Sequence, residues 1–272
     1  LHRRRHSFPT RRSSDLFWRA PVDNDYGSRR DFMTAQWKLA SLYRRCVKKE
    51  LLDEAGNWHE FDWFGQLGQK EYEASSVSVR FTYELATQPL SSCRMTYTVA
   101  EDASIKVELD YDAVEGLPEI PDFAMLFTLP ADYDQVRFYG YGPLDNYADR
   151  QRGARLGIFE TTAKDEVEPY LQPQETGNHG GIRWIEVTDH RGRGVRLAMD
   201  EEPFEASALP YSAHELENAR HPYDLPEVHH TFLRASLGQC GVGGDDTWGA
   251  PVLPEYTVKN ETKHFSFYFK GI

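Results

Sequence analysis

The chain has 272 residues, 40% of them hydrophobic and 27% charged, with a formal net charge of −12 at pH 7. That acidity argues against nucleic acid and anionic membrane surfaces as partners, and no apolar run approaches the ~18 residues that a membrane helix needs. The three cysteines, Cys46, Cys93 and Cys240, are odd in number and far apart; they form no disulfide framework and fit a reducing, cytoplasmic setting.

The first sixteen residues, LHRRRHSFPTRRSSDL, differ in character from the rest of the chain. They hold five Arg and one Asp, yet no apolar segment succeeds the arginines and no amphipathic period appears, so neither a secretion signal nor a transit helix is indicated. His6–Leu16 back-translates to a run that looks like a common sequencing-library adapter read in frame. Residues 1–16 are therefore expected to be an artefactual leader outside the fold, and Phe17–Ile272 one N-terminally truncated domain. That domain carries 26 basic and 42 acidic side chains, a formal charge of −16.

FWRAPVDNDYG (Phe17–Gly27) reads in two ways. It is either a strand ending in an Asx-type turn or a loop offering Arg19, Asp23, Asn24 and Asp25 to a partner surface. In RDFMTAQWKLASLYRR (Arg30–Arg45), Met33, Trp37 and Ala40 fall at i, i+4, i+7 and predict a short helix. Alternation then dominates. Ser76–Leu85 puts Val77, Val79, Phe81 and Tyr83 on one face, and Ser104–Asp112 repeats this with Ile105, Val107, Leu109 and Tyr111. Weaker runs lie at Phe123–Leu129, Gly157–Thr162, Ile182–Thr188, Gly194–Met199, Phe204–Leu209 and Val228–Leu237, and His264–Lys270 alternates Phe265, Phe267 and Phe269. Period-2 runs at short spacing, parted by Gly, Pro, Asp and Asn, predict an all-β fold: a large antiparallel β-sandwich of two sheets packed face to face. One further short helix is expected at SAHELENAR, where Ser212 and Glu215 have the spacing of a capping box.

Three later segments can carry chemistry. FYGYGPLDNYADR (Phe138–Arg150) lacks the Lys and the context of a phosphate cradle and reads as a tight turn carrying an ordered loop. YLQPQETGNHGGIRW (Tyr170–Trp184) gathers Glu175, Asn178 and His179 before a strand, where a lone His is more often hydrogen-bonded structure than a ligand. His229 and His230 face opposite sides of a strand and cannot grip one metal, so no metal site is expected. GVGGDDTWGAP (Gly241–Pro251) is a Gly-rich loop ending in Trp248. Its indole either stacks on the C–H face of a sugar or folds back onto the core. No nucleophile elbow and no Cys–His pair is visible. Asp245 and Asp246 are the obvious carboxyl pair, but neighbours on a turn rarely flank a glycosidic bond.

Taken in order, FWRAPVDNDYG, YGYGPLDNYADR, PQETGN and GGDDTW resemble the C-terminal domain of the LacZ-type β-galactosidases, a family 2 group of retaining glycoside hydrolases, over about Phe17–Ile272. The resemblance implies a β-supersandwich related to galactose mutarotase. It implies that the acid/base and nucleophile carboxylates lie on an upstream barrel, so this chain holds no catalytic residue. It also implies that the Mg²⁺ and Na⁺ of the whole enzyme are bound mostly by that barrel, with no cofactor assigned here. Trp248 would be the platform for a glucose-like leaving group or acceptor, with Gly243, Gly244, Asp245 and Asp246 shaping its loop. Expected partners are the N-terminal domains, in the same chain or in a large subunit, a β-galactoside, and further copies in a homo-oligomer. Two departures stand out. Gln172 replaces a different residue before Pro173. Ala219 replaces a hydroxyl near a peripheral Na⁺ site that backbone carbonyls near Pro173 and Leu216 resemble, so that ion is not expected. A free-standing carbohydrate-binding module and a mutarotase-like epimerase are the alternatives. The second needs a His and a Glu converging in the sandwich cleft.

Overall fold

The computed structural model describes residues 17–61, 75–246 and 249–272; the leader reading of residues 1–16 lies outside them. Three short helices, α1 (Asp23–Ser28), α2 (Arg30–Met33) and α3 (Ala35–Leu42), precede the strands, and a fourth, α4 (Ala213–Asn218), interrupts them. The strands are β1 (Arg44–Leu52), β2 (Trp58–Glu60), β3 (Ser76–Leu85), β4 (Ser91–Ala100), β5 (Ile105–Tyr111), β6 (Asp122–Pro130) and β7 (Gln135–Gly142). They continue with β8 (Arg155–Thr162), β9 (His179–Ile182), β10 (Trp184–Thr188), β11 (Gly194–Met199), β12 (Phe204–Leu209), β13 (His230–Gln239) and β14 (Lys263–Gly271). A ten-stranded sheet runs β2-β1-β3-β4-β5-β14-β11-β10-β7-β8, and a four-stranded sheet runs β6-β13-β12-β9. Neighbours in both sheets pair antiparallel.

Alternation in sequence becomes burial where the small sheet covers the large one. Val107, Leu109 and Tyr111 of β5 and Phe265 and Phe267 of β14 meet Phe123 and Met125 of β6 and Phe204 of β12 in a single apolar cluster. Phe127 stacks on Phe269 at 5.2 Å between ring centroids and meets the Phe267 edge at 6.0 Å. The same alternation in β3 has another fate. Val77 stays exposed and Leu85 is the one buried apolar residue of that strand: β3 lies toward the flank of the large sheet and reaches the cluster only at its Tyr83–Leu85 end.

Other local readings are corrected. Residues 30–45 do not form one helix: α2 and α3 meet at Thr34, and Arg44 already opens β1. Trp37 and Ala40 of α3 are buried, with Trp37 stacked on Phe17, while Met33 points outward at 58% exposure. Among the described residues four short α-helices stand where one or two are expected, and the capping box of α4 forms: Ser212 Oγ accepts from Glu215 N–H, and Glu215 Oε2 accepts from Ser212 N–H. Phe138–Gly142 is the end of a strand and not a tight turn. Its glycines answer to packing, since a Cβ at Gly140 would lie 2.5 Å from Ile182 and one at Gly142 2.8 Å from Phe159. The run Ile182–Thr188 is split. β9 belongs to the small sheet and β10 to the large one, and the chain changes sheets at Arg183, between Ile182 and Trp184.

Candidate functional site

The four motif segments, up to 222 residues apart in sequence, meet at one end of the sandwich. The first does not offer itself to solvent. Arg19, Asn24 and Asp25 are buried and Asp23 is exposed. Pro21 and Val22 lead into α1, where Asp25 accepts from Val22 N–H at 2.9 Å and pairs with Arg19 at 2.8 Å. The helix forms because two acids, Asp23 and Asp25, sit in its first turn, where the exposed amides favour negative charge. Asp23 in turn exchanges hydrogen bonds with Gln174: its N–H donates to Oε1 at 3.1 Å and its Oδ2 accepts from Nε2 at 3.2 Å, which ties the first motif to the third.

The second and third motifs are sewn together around Asn146 and Asn178. Asn146 N–H donates to the Asn178 carbonyl, Asn178 Nδ2 donates to the Asn146 carbonyl, and Gly180 N–H donates to Asn146 Oδ1. His179 contacts Glu166 at 2.7 Å, and its ring centroid lies 4.1 Å from that of Phe138. Both side chains are buried, and Glu166 also lines a separate cleft of about 210 Å³ with Phe138 and Phe159. Beneath them, Arg234 of β13 is the hub of a buried charge network. It lies 3.0 Å from Asp122 and 2.9 Å from Glu175, and donates to Asn178 Oδ1 at 2.9 Å. Burial alone lowers the Arg234 pKa, but Glu175, Asp122 and Glu205 outweigh it and the net shift is upward. Burial likewise pushes Asp122 up, against the pull of Arg234 and the Ser236 hydroxyl. These charges are anomalies inside apolar strand segments, DFAMLF and TFLRAS, and that mismatch is the signal by which sequence reading could have found them.

The fourth segment closes the site. Gly243 O accepts from Asn24 Nδ2 at 2.7 Å, and Gly243 N–H donates to Asp149 at 2.8 Å. Beyond, Asp246 Oδ1 accepts from Gly249 and Ala250 N–H at 3.0 and 3.1 Å. Gly244 passes so near its neighbours that a Cβ would sit 2.6 Å from the Ala250 carbonyl. Asp245 is exposed. Trp248 lies outside the described residues. A cleft of about 150 Å³ opens where the segments join, walled by Val22, Asn24, Tyr147, Gln174, Glu175 and Val242 among others. Among the described residues no group of three or more His, Cys, Asp or Glu is placed to hold a metal ion. The Leu216 carbonyl accepts from Ala219 N–H at the end of α4. Cys46, Cys93 and Cys240 are free thiols, and among the described residues no helix is long and apolar enough to cross a membrane.

A two-sheet antiparallel sandwich whose loops gather four separated motifs defines an all-β domain. The profile of the family described as beta galactosidase small chain matches residues 3–269, and the chain belongs to that family. A β-galactosidase of Halalkalibacterium halodurans is 42% identical over 247 residues, covering 90% of this chain and 22% of that protein. The β-galactosidase small subunit of Latilactobacillus sakei is 30% identical over 266 residues, covering 92% of this chain and 82% of that one. A putative aldose 1-epimerase of Escherichia coli K12 is similar in structure, with a TM-score of 0.33 and 11% identity over 82% of this chain and 78% of that one. The chain thus spans about a fifth of the length of the long β-galactosidases it matches.

Proposed function

We propose that this chain is the small-chain sandwich of a family 2 β-galactosidase, cleaving terminal β-D-galactosides such as lactose, and that it builds the leaving-group side of the active site. The observation that carries this reading is the junction of all four motifs on the Gly-rich loop that precedes Trp248. A flat apolar ring offers its face to the C–H groups of a sugar, and polar side chains around it fix the hydroxyls. Trp248 is the platform, Gly243 and Gly244 let the loop pass close to its supports, and Asp246 ties its far limb. Asp245, on the solvent side, is read as loop support alone.

The carboxylates of the retaining reaction belong to the upstream module, in the same chain or in a large subunit, with which this domain assembles in a homo-oligomer of the cytoplasm. The family's Mg²⁺ and Na⁺ are assigned to that upstream module, and no role of this chain is routed through them. Residues 1–16 are read as foreign to a domain proper of Phe17–Ile272, whereas the family match begins at residue 3; source DNA across codons 1–17 on an intact contig tests that boundary.

The deciding experiment is Trp248→Ala in the whole enzyme. Glucose and other leaving-group analogues lose about 1–3 kcal/mol of binding, as aromatic platforms do, while galactose-side inhibitors change little. Equal weakening of both kinds of inhibitor assigns Trp248 to the scaffold and removes the platform reading. Sugar binding by the isolated chain with unaltered affinity would favour a free-standing binding module.

A further inference from the structure

Three consecutive backbone units, Gly241–Gly243, are gripped by side chains from elsewhere in the fold. Arg19 Nη2 donates to the Gly241 carbonyl at 3.3 Å. Asp149 accepts from Val242 N–H at 3.2 Å through Oδ1 and from Gly243 N–H at 2.8 Å through Oδ2. Asn24 Nδ2 donates to the Gly243 carbonyl at 2.7 Å. Each support is itself fixed. Arg19 is locked to Asp25, and Asn24 is 4% exposed on α1, whose neighbouring Asp23 is bonded to Gln174. Asp149 sits in the loop that Asn146 fastens to Asn178.

The glycines fit this grip. A Cβ at Gly241 would run into the Asp149 carboxylate, one at Gly243 would lie 3.3 Å from it, and one at Gly244 would lie 3.1 Å from Asn24 Oδ1. A Gly-rich loop without such supports has wide conformational freedom, and ordering it at the moment a ligand binds would cost affinity. Asp246 accepts from the amides of Gly249 and Ala250, after the Trp, whereas Asn24 and Asp149, with Arg19, reach the near limb from elsewhere in the fold.

We propose that Asn24 and Asp149 are positioning residues for the leaving-group side of the sugar site, holding the near limb, Gly241–Gly243, of the loop to which Trp248 belongs in sequence. The proposal rests on the reading of Trp248 as a platform. On that reading the two side chains act through the loop, and the bond-breaking step and galactose binding are indifferent to them.

The test is run in the whole β-galactosidase, with N24A, D149A and D149N each made alone and in a W248A background. Glucose and a galactose-side inhibitor are the probes, and thermal unfolding is measured in parallel. N24A and D149A raise the inhibition constant of glucose about tenfold, as misplacement of a binding group does. The galactose-side constant and the galactosylation rate with an activated leaving group hold within about twofold. D149N keeps one acceptor oxygen and falls between parent and D149A. In the W248A background the same changes have no further effect on glucose, since coupled residues are not additive. If both inhibitors weaken together, or if N24A and D149A act on glucose equally with and without Trp248, the side chains are general scaffold and the proposal fails. If W248A weakens glucose binding while N24A and D149A do not, the platform stands and the positioning role alone falls. If W248A has no effect on glucose, both fall. Should D149A fail to fold, N24A and D149N decide by the same criteria.

Discussion

Asn178 Nδ2 donates to the Glu205 carboxylate at 3.1 Å, while Asn178 Oδ1 accepts from Arg234, so one amide bridges an acid and a base in the interior. The polar end of the sandwich therefore rests on a network in which Asp122, Glu175 and Glu205 share Arg234. Arg19 and Asp25 complete their own pair beside it.

Glu205 should make stability depend on pH. Burial pushes its pKa up to about 7 from 4.5, with Arg234 opposing and Asp122 adding to the shift. Between these values the folded protein holds a proton that the unfolded chain has released, so stability falls as pH rises through that window. The full effect, reached above pH 7, is about 3 kcal/mol. Glu205→Gln keeps an acceptor for Asn178 without the titration. Unfolding midpoints of parent and variant at pH 5 and pH 8 check this: the parent drops more. Parallel slopes would show that the Glu205 proton plays no part.

Asn178→Ala leaves Glu205 and Arg234 each short of a buried partner and cuts the second cross-link to Asn146. Stripping partners from buried charged groups costs about 3 kcal/mol. Arg45→Ala, which breaks an exposed pair with Glu84, should cost less than about 1 kcal/mol. Urea unfolding of the two variants checks the contrast, and equal losses would contradict it.

Gly244→Ala should weaken glucose inhibition of the whole enzyme, because its Cβ would lie 2.6 Å from the Ala250 carbonyl and the loop must shift. Gly153→Ala is the control: nothing lies within 4 Å of its Cβ. It should leave inhibition unchanged and stability equal or slightly higher. Inhibition constants for glucose in both variants measure this, and an unaffected Gly244→Ala enzyme would mean that the loop tolerates displacement.

The chain by itself should not hydrolyse β-galactosides. A retaining reaction needs two carboxyls about 5–5.5 Å apart that flank the bond. The pair visible in sequence is Asp245–Asp246, and one oxygen of Asp246 is already taken by two backbone amides. A chromogenic galactoside incubated with purified protein should show no turnover above a heat-killed control. Turnover would return Asp245 or Asp246 to consideration as catalytic groups.

The sequence by itself determined the strands that lie over the core and the helix cap at Ser212. Val107, Leu109, Tyr111, Phe265 and Phe267 alternate because one face of each strand is buried, and a side-chain period of two needs no knowledge of the partner strand. Ser212 and Glu215 are legible because a capping box is a local exchange of hydrogen bonds. The strand Arg44–Leu52 is hidden because its residues are mostly polar and lie near a flank of the sheet, where alternation is weak, whereas Ser91–Ala100 carries the same period of two in Cys93, Met95, Tyr97 and Val99. Only the tertiary structure decided that Val77 stays exposed, that α1 replaces a turn, and that Gly140 and Gly142 serve packing. It alone placed Asn24 and Asp149 on the Gly-rich loop and Asp122, Glu175 and Glu205 around Arg234. Those contacts join residues roughly 30 to 220 positions apart, and a hydrogen bond or ion pair between distant segments leaves no period in either one.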